Sequence, residues 1–288
     1  MGFAIALSGG GARGAAHVGV LCALEEAGLY PKAVAGTSAG SIVGGMYALG
    51  MRPQEMRRYV EELARNPKRI VDVDGLGMLK AAGEFFTGRP VTFTGFLKGD
   101  RLERFLEGLT GGKNITEAKM RLIITAVDLV SRKTVAYTNT LKGAGPSRNT
   151  VWKTDIPVSR AMRASSAIPA VFRPVYEDGM ALVDGGVTDV VPVELLLAAG
   201  ETRVLSVDVS GNYPLKPRAN IVDIADRSIA LMLSTMTEYM TAGEKFRVTP
   251  ALPESVGALD FDQVARCVDI GYEAAVKCMS AIRSALVS

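Results

Sequence analysis

The chain has 288 residues, of which 48% are apolar and 22% are charged. This composition is typical of a globular protein with a sizeable core and excludes a disordered chain. The 33 basic and 30 acidic side chains leave a net charge of +3, which is too small to argue for nucleic-acid binding. That charge still permits transient attraction to an anionic membrane surface.

The sequence shows neither a signal-peptide pattern nor a metal-ligand spacing. Its cysteines, Cys22, Cys267 and Cys278, are odd in number and scattered, which favours idle thiols in a reducing compartment. The uncharged run at 33–51 contains too much glycine, serine and threonine for a membrane span. We therefore expect a soluble, cytoplasmic protein that reaches the membrane only at its periphery and binds no metal.

Apolar runs that end in glycines alternate with helical patterns from the N-terminus onward. The segments 2–11 and 32–40 each indicate a strand and a tight turn before a helix. Two such units predict a parallel sheet. Further strands are predicted at 121–129, 133–138, 180–186 and 202–210. We expect one domain over 1–288, in which the part from 220 to 288 is helical and packs on the sheet.

The segment 66–100 contains a concentration of phenylalanines among glycines and a proline. Its members are Phe85, Phe86, Phe93 and Phe96. Two interpretations stay open. The segment either forms a mobile apolar lip that lines or gates a binding site, or fills the core beneath a long loop.

The segment 8–14 carries the pattern GxGxxG after a predicted strand and before a helix. A dinucleotide site should then have an acidic residue at the end of the second strand. That strand ends in Gly36 and Thr37 without a carboxylate, which disfavours a nucleotide-dependent oxidoreductase. Glycines at the start of a helix also present backbone N–H groups that can stabilise an oxyanion.

The pentapeptide GTSAG places Ser38 between Gly36 and Gly40, at a predicted turn from strand to helix. Flanking glycines allow the strained backbone of a nucleophile elbow, and the alternative is a purely structural turn. No histidine follows Ser38 in the chain, so a triad in the order serine, acid, histidine is excluded. The single histidine, His17, is interpreted as a packed position on the first helix.

Aspartates end three of the predicted strands and are candidates for a general base. These are Asp128, Asp184 and Asp208. Only Asp184 is followed by two glycines, which let the backbone approach a reacting centre closely. A carboxylate that is removed from bulk water can have a raised pKa and accept a proton. We therefore favour Asp184 as the base and interpret Asp128 and Asp208 as capping residues.

The glycine loop GGGARG, the elbow GTSAG and the acid motif DGG, in this order, resemble the patatin-like phospholipase family. The segment RASSAIPAVFRPV before the third motif extends the resemblance. The resemblance implies a three-layer α/β/α sandwich with a mainly parallel central sheet. It also implies a dyad in which Ser38 is the nucleophile and Asp184 its general base.

The same resemblance implies an oxyanion hole made by the backbone of Gly9, Gly10 and Gly11. Arg13 matches a basic position of the family loop, where it either holds the loop or meets a lipid head group. The implied reaction is hydrolysis of lipid acyl esters without metal or organic cofactor, with phospholipid, lysophospholipid and neutral ester left open. The competing hypothesis is a non-catalytic lipid-binding or regulatory protein on the same scaffold.

Overall fold

A mixed, mostly parallel sheet forms the centre of the protein. The computed structural model describes residues 2–147, 149–210, 221–240, 243–257 and 259–287. The strands are β1 (Phe3–Leu7), β2 (Pro31–Gly36), β3 (Gly95–Leu97), β4 (Arg121–Asp128), β5 (Lys133–Thr138), β6 (Thr150–Lys153), β7 (Ala170–Phe172), β8 (Val175–Glu177), β9 (Met180–Asp184), β10 (Val204–Val207) and β11 (Phe246–Val248). The helices are α1 (Ala16–Glu26), α2 (Ala39–Ala48), α3 (Pro53–Arg65), α4 (Gly75–Phe86), α5 (Asp100–Thr110), α6 (Val158–Ser165), α7 (Val193–Ala198), α8 (Ile221–Met240) and α9 (Val264–Val287).

The main sheet has the order β11-β10-β1-β2-β4-β5-β6, and its neighbouring strands from β11 to β4 are parallel. Strands β5 and β9 both pair antiparallel with β4, and β8 follows on β9. Strands β3 and β7 form a separate parallel pair. The predicted strands at 121–129, 133–138, 180–186 and 202–210 are confirmed, with ends that differ by a few residues.

The register brings three motifs to one level of the sheet. Leu7 lies beside Gly36, and Gly36 lies beside Ile124. Two residues further along β4, Ala126 lies opposite Asp184. Because β5 occupies the other edge of β4, β9 must pair with the edge that β2 leaves after Gly36. The glycine loop, the elbow and the acid motif therefore begin side by side.

The two faces of the sheet bury different side chains, as the period-two geometry of strands requires. One face presents alanines such as Ala4, Ala6 and Ala35, and α7 packs over it. The other face presents larger side chains, including Ile5 and Leu7, to α1, α2 and α9. Helices on both faces confirm the predicted α/β/α sandwich.

The C-terminal part packs mainly on helix α1. At two points α1 and α9 are so close that a Cβ on either glycine would overlap the other backbone: Gly19 faces the carbonyl of Val268, and Gly271 faces that of Ala16. Strand β11, at 246–248, interrupts the predicted helical part 220–288 and extends the sheet beside β10. Residue 220 lies outside the described residues. In the described ranges, no helix is long and apolar enough to cross a bilayer.

Replacing Gly271 by Ala should lower the free energy of unfolding by about 1–3 kcal/mol, because the added methyl group overpacks the α1–α9 contact. Gly108→Ala is the matched control, since a Cβ there meets nothing within 4 Å. Gly108 lies inside α5, so this change should raise stability by about 0.5–1 kcal/mol. Urea unfolding measures both variants. Equal stability of Gly271→Ala and the native chain would contradict the close packing.

Candidate active site

Ser38 lies on a sharp turn between β2 and α2. Its backbone has φ 52° and ψ −122°, a conformation that costs a non-glycine residue free energy and is found where function requires it. A Cβ at Gly36 would overlap the Gly40 carbonyl, and one at Gly40 would overlap the Leu7 carbonyl. Both glycines of the GTSAG motif are therefore required by the turn, which has the geometry predicted for an elbow.

The Asp184 carboxylate accepts a hydrogen bond from the backbone N–H of Gly186 at 2.8 Å, and the Ser38 hydroxyl lies close enough to favour its charged form. Both side chains are buried, with exposed fractions of 5% for Ser38 and 6% for Asp184. Burial raises the pKa of Asp184 to about 6, although the Ser38 hydroxyl and the Gly186 N–H favour the charged form. The structure thus brings together the two residues predicted as nucleophile and base.

Hydroxyl groups around this pair hold the elbow in place. The backbone N–H of Ser38 donates to the hydroxyl of Ser165, at 2.8 Å. The Thr37 hydroxyl donates to the carbonyl of Asp189 at 2.9 Å and lies 2.8 Å from the Thr125 hydroxyl. These contacts link β2, β4, α6 and the segment after Asp184. Sequence reasoning missed Ser165, Thr37 and Thr125, because their partners are distant in the chain.

The glycine loop leads into a short 3-10 turn at Gly11–Ala15 that precedes α1. The N–H of Gly9 donates to the Val190 carbonyl at 3.0 Å, so it is already used within the protein. This corrects the expectation that Gly9 contributes to an oxyanion hole. Among the described residues, the N–H groups of Gly10 and Gly11 have no acceptor, and Gly11 lines the same cavity as Ser38.

Arg13 is buried and holds the glycine loop. Its guanidinium donates to the carbonyl of Val209 at 3.0 Å and to those of Pro253 and Val256 at 3.3 Å each. These contacts join the loop to two segments that are more than 190 residues away in sequence. Of the two predicted roles, the structure shows the loop-holding one. A head-group contact is not available to a side chain that is 4% exposed.

His17 is fully buried below the loop and is not part of the cavity that Ser38 lines. Its Nε2 lies 2.9 Å from the Ser8 carbonyl, and a carbonyl only accepts, so Nε2 carries the proton. Nδ1 has no partner among the described residues. Burial lowers the pKa of His17 to about 4, against the opposing effects of the Ser8 hydrogen bond and Asp208. His17 is therefore a neutral residue that supports the loop.

The other strand-end aspartates are caps, as predicted. Burial by itself would raise the pKa of Asp128, but hydrogen bonds from Ser131, Ala181 and Val130 lower it to about 2. The Asp208 carboxylate accepts from the backbone N–H and the hydroxyl of Ser210. Among the described residues, no group of three or more potential ligands could hold a metal ion.

An apolar cavity opens at Ser38, with an empty volume of about 940 Å³ including its mouth. Helices α2, α3 and α5 supply half of the residues in its wall. The lining includes Ile42, Met46, Val60, Leu63, Phe105 and Leu106. The hydroxyl of Ser166 is buried at this cavity without a partner in the described part of the chain. A long hydrocarbon chain fits such a lining, because apolar walls take up alkyl groups without hydrogen-bond loss.

The phenylalanines of 66–100 divide into two pairs. Phe85 and Phe86, at the end of α4, are 71% and 85% exposed, so core filling is wrong for them. They do not line the cavity either. Phe93 and Phe96 are half-buried and pack edge to face with ring centroids 5.2 Å apart. Phe96 lines a neighbouring hollow that shares Leu259 with the cavity wall.

Comparison with known proteins identifies the family. The model of the patatin-like phospholipase family matches residues 5–197. An uncharacterized NTE family protein of Mycobacterium tuberculosis is 29% identical over 210 residues, covering 73% of this chain and 49% of that protein. A lysophospholipase of Mycosarcoma maydis is 30% identical over 76% of this chain and 10% of its own length. This chain thus spans half the length of these relatives or less.

Among solved structures, VipD from Legionella pneumophila has a TM-score of 0.50 and 14% sequence identity, over 98% of this chain and 67% of that one. At that identity the likeness concerns the fold alone. The family match confirms the resemblance that the glycine loop, the elbow and the acid motif indicated together.

His17→Ala should retain most of the activity toward a soluble short-chain ester, with at most a several-fold loss from a loosened glycine loop. A general base contributes about 10²–10⁴ in rate, so the two roles are easily separated. The measurement is kcat/KM of the folded variant. A loss of about three orders of magnitude with an unchanged circular dichroism spectrum would make His17 catalytic after all.

Asp184→Asn should make the protein more stable at pH 8 and leave its stability nearly unchanged at pH 4. The folded-state pKa of Asp184 is raised to about 6 by burial, so the carboxyl group destabilises the fold only where it must ionise. That destabilisation grows as pH rises from about 4 through 6 and reaches on the order of 2–3 kcal/mol. Urea unfolding of both proteins at the two pH values tests it. An equal difference in the free energy of unfolding between the two proteins at both pH values would contradict the raised pKa.

Proposed function

This chain belongs to the patatin-like phospholipase family, and we propose that it is a serine acyl hydrolase that cleaves lipid acyl esters with Ser38 and Asp184. The observation that carries the proposal is the pair itself. The hydroxyl of a serine in a strained elbow lies beside a buried carboxylate and favours its charged form. The pair lies at an apolar cavity. A purely structural turn would need neither the carboxylate nor the cavity.

The proposed reaction starts when Asp184 takes the proton of the Ser38 hydroxyl and Ser38 Oγ attacks the ester carbonyl carbon. The backbone N–H groups of Gly10 and Gly11 stabilise the resulting oxyanion. Asp184 then gives its proton to the departing alcohol oxygen, and the acyl group stays on Ser38. In the second half Asp184 takes a proton from water, the hydroxide displaces the acyl group as a fatty acid, and Ser38 regains its proton.

The cavity favours a substrate with a long acyl chain. Its lining is almost entirely aliphatic and aromatic, so burial of each methylene contributes about 0.8 kcal/mol to binding. The relative from Mycosarcoma maydis is a lysophospholipase by name, and lysophospholipid is accordingly the first substrate to test. Phospholipid and neutral ester complete the series. We place the protein in the cytoplasm, in transient contact with the membrane surface that supplies such lipids.

Labelling with a fluorophosphonate and hydrolysis of a short-chain nitrophenyl ester test the dyad together. Ser38→Ala should abolish both. Asp184→Asn should lower turnover by about 10²–10⁴. Asp208→Asn is the matched carboxylate control and should keep near-native turnover, because Asp208 only caps Ser210. In the native enzyme kcat/KM should rise through about pH 6, as Asp184 ionises.

Two results would contradict the proposal. Near-native turnover of Asp184→Asn would show that Asp184 is not the general base for Ser38. Absence of both labelling and hydrolysis in the native chain, together with binding of a long-chain lipid, would favour a non-catalytic lipid-binding protein. Circular dichroism of every variant confirms that the comparison is made between folded proteins.

A further inference from the structure

Helix α4 turns its apolar side outward. The residues on its inner side are small or charged: Gly77, Ala81 and Glu84 are half-buried and spaced as one helical face. The large apolar residues on the remaining surface are exposed, namely Leu76, Met78, Leu79, Phe85 and Phe86. A surface helix of a globular protein normally shows the reverse arrangement. An exposed patch of this kind marks an interaction site.

The helix is fixed to the protein at its first turn. Asp74 caps it by accepting from the Gly77 N–H at 3.1 Å and forms an ion pair with Arg173. The Asp74 N–H donates to the Phe96 carbonyl at 2.8 Å. These bonds hold the start of α4 against the β3–β7 pair. The outward direction of its apolar side is therefore set by hydrogen bonds and an ion pair.

Within residues 66–91, the exposed charges all have one sign. Between residues 66 and 91 the exposed charged side chains are Lys68, Arg69, Lys80 and Arg89. The carboxylates of the same segment are half-buried or buried, and each is bound within the protein. Asp72 accepts from the N–H groups of Gly99 and Arg101, Asp74 is paired as described, and Glu84 accepts from the Thr92 N–H. Arg69 pairs with Glu62, and Lys80 pairs with Glu84. The segment that carries α4 nevertheless exposes basic side chains beside large apolar ones.

This surface adjoins the cavity that Ser38 lines. The hollow beside it contains Lys68, Val71 and Phe96 from the segment that carries α4. The same hollow shares Leu259 and Phe261 with the cavity. The hollow thus connects the segment that carries α4 with the wall of the cavity.

We propose that α4 docks the protein on an anionic lipid bilayer, with Phe85 and Phe86 inserted at the level of the acyl chains and Lys80 and Arg89 at the head groups. The proposal rests on the proposed function, since it delivers the cavity to a lipid substrate. Apolar and basic residues on one exposed helix are the combination that binds such interfaces.

A second copy of the chain is the main rival occupant. A two-fold contact through α4 would place the basic residues of both copies, Lys80 and Arg89 among them, around one small patch. Like charges at an interface oppose association. An anionic bilayer instead meets the same residues with opposite charge, which is why the surface favours lipid over self-association.

Vesicle flotation in the Ser38→Ala background tests the surface without hydrolysis of the lipid. The vesicles are phosphatidylcholine alone or phosphatidylcholine with phosphatidylglycerol. The parent should bind the anionic vesicles more tightly than the neutral ones, and salt should weaken that binding. Phe85→Ser with Phe86→Ser should lower the affinity about tenfold or more. Lys80→Gln with Arg89→Gln should reduce binding to anionic vesicles only.

The matched control is Tyr30→Ser with Leu141→Ser, which also removes two exposed apolar side chains. These residues lie at the end of the sheet opposite Ser38, since Tyr30 precedes β2, whose other end leads to Ser38, and Leu141 follows β5, which runs antiparallel to β4. The control should bind as the parent does. Equal vesicle binding by the Phe85/Phe86 variant and the parent would overturn the proposal.

Size-exclusion chromatography tests the rival occupant, a second copy of the chain. A parent that binds no vesicles and forms a dimer, which the Phe85/Phe86 variant converts to a monomer, would assign the surface to a second copy and overturn the lipid proposal. Because Ser38 is already replaced, these outcomes say nothing of the dyad. Hydrolysis of a soluble ester by the chain with Ser38 intact tests that separately.

Discussion

The site depends on a change of neighbour along one edge of β4, where β9 replaces β2. Strand β2 leaves that edge after Gly36, where the chain turns sharply into Ser38, and β9 occupies the same edge with Asp184 opposite Ala126. The parallel strand β2 and the antiparallel strand β9 thus end at neighbouring positions along β4. Ser38 and Asp184 come from opposite chain directions and meet, although 145 intervening residues separate them in the sequence. A shift of one residue in the β4–β9 register would turn the Asp184 side chain to the other face.

Local hydrogen bonding decides what each strand-end aspartate does. Asp128 and Asp184 are both buried carboxylates at the ends of neighbouring strands. Backbone N–H groups from three residues surround Asp128 and keep its pKa near 2, which makes it a stable anion and a poor base. Asp184 has one backbone donor and the Ser38 hydroxyl, and its pKa is about 6. Burying Asp184 with so few hydrogen-bond donors costs the fold free energy. The same burial raises the pKa of the carboxylate and makes it a better base.

Sequence patterns predicted much of this arrangement because they are local. The glycines around Ser38 and after Asp184, the strands that precede them and the absence of a later histidine are all legible in short segments. The roles of Gly9 and Arg13 were not, since they depend on carbonyls of Val190, Val209 and Val256 that only the folded chain brings near. Strand β11 escaped detection because it is short and pairs at a sheet edge. Helix α4 was not predicted, because glycines interrupt its apolar pattern, and periodicity cannot tell which side of a helix the rest of the protein covers.

The burial of the dyad and the outward face of α4 have a common physical consequence. Ser38 and Asp184 are almost inaccessible to water, and the space beside Ser38 is an apolar cavity. A lipid that reached it through water would first expose its acyl chain, at about 0.8 kcal/mol for each methylene. If α4 holds the cavity mouth against a bilayer, the acyl chain of the lipid passes from one hydrocarbon environment to another. The free-energy cost of exposing it to water is then avoided. The large apolar residues on α4 would then lower the barrier to substrate entry, just as the proposed role of the buried Asp184 is to lower the barrier to attack.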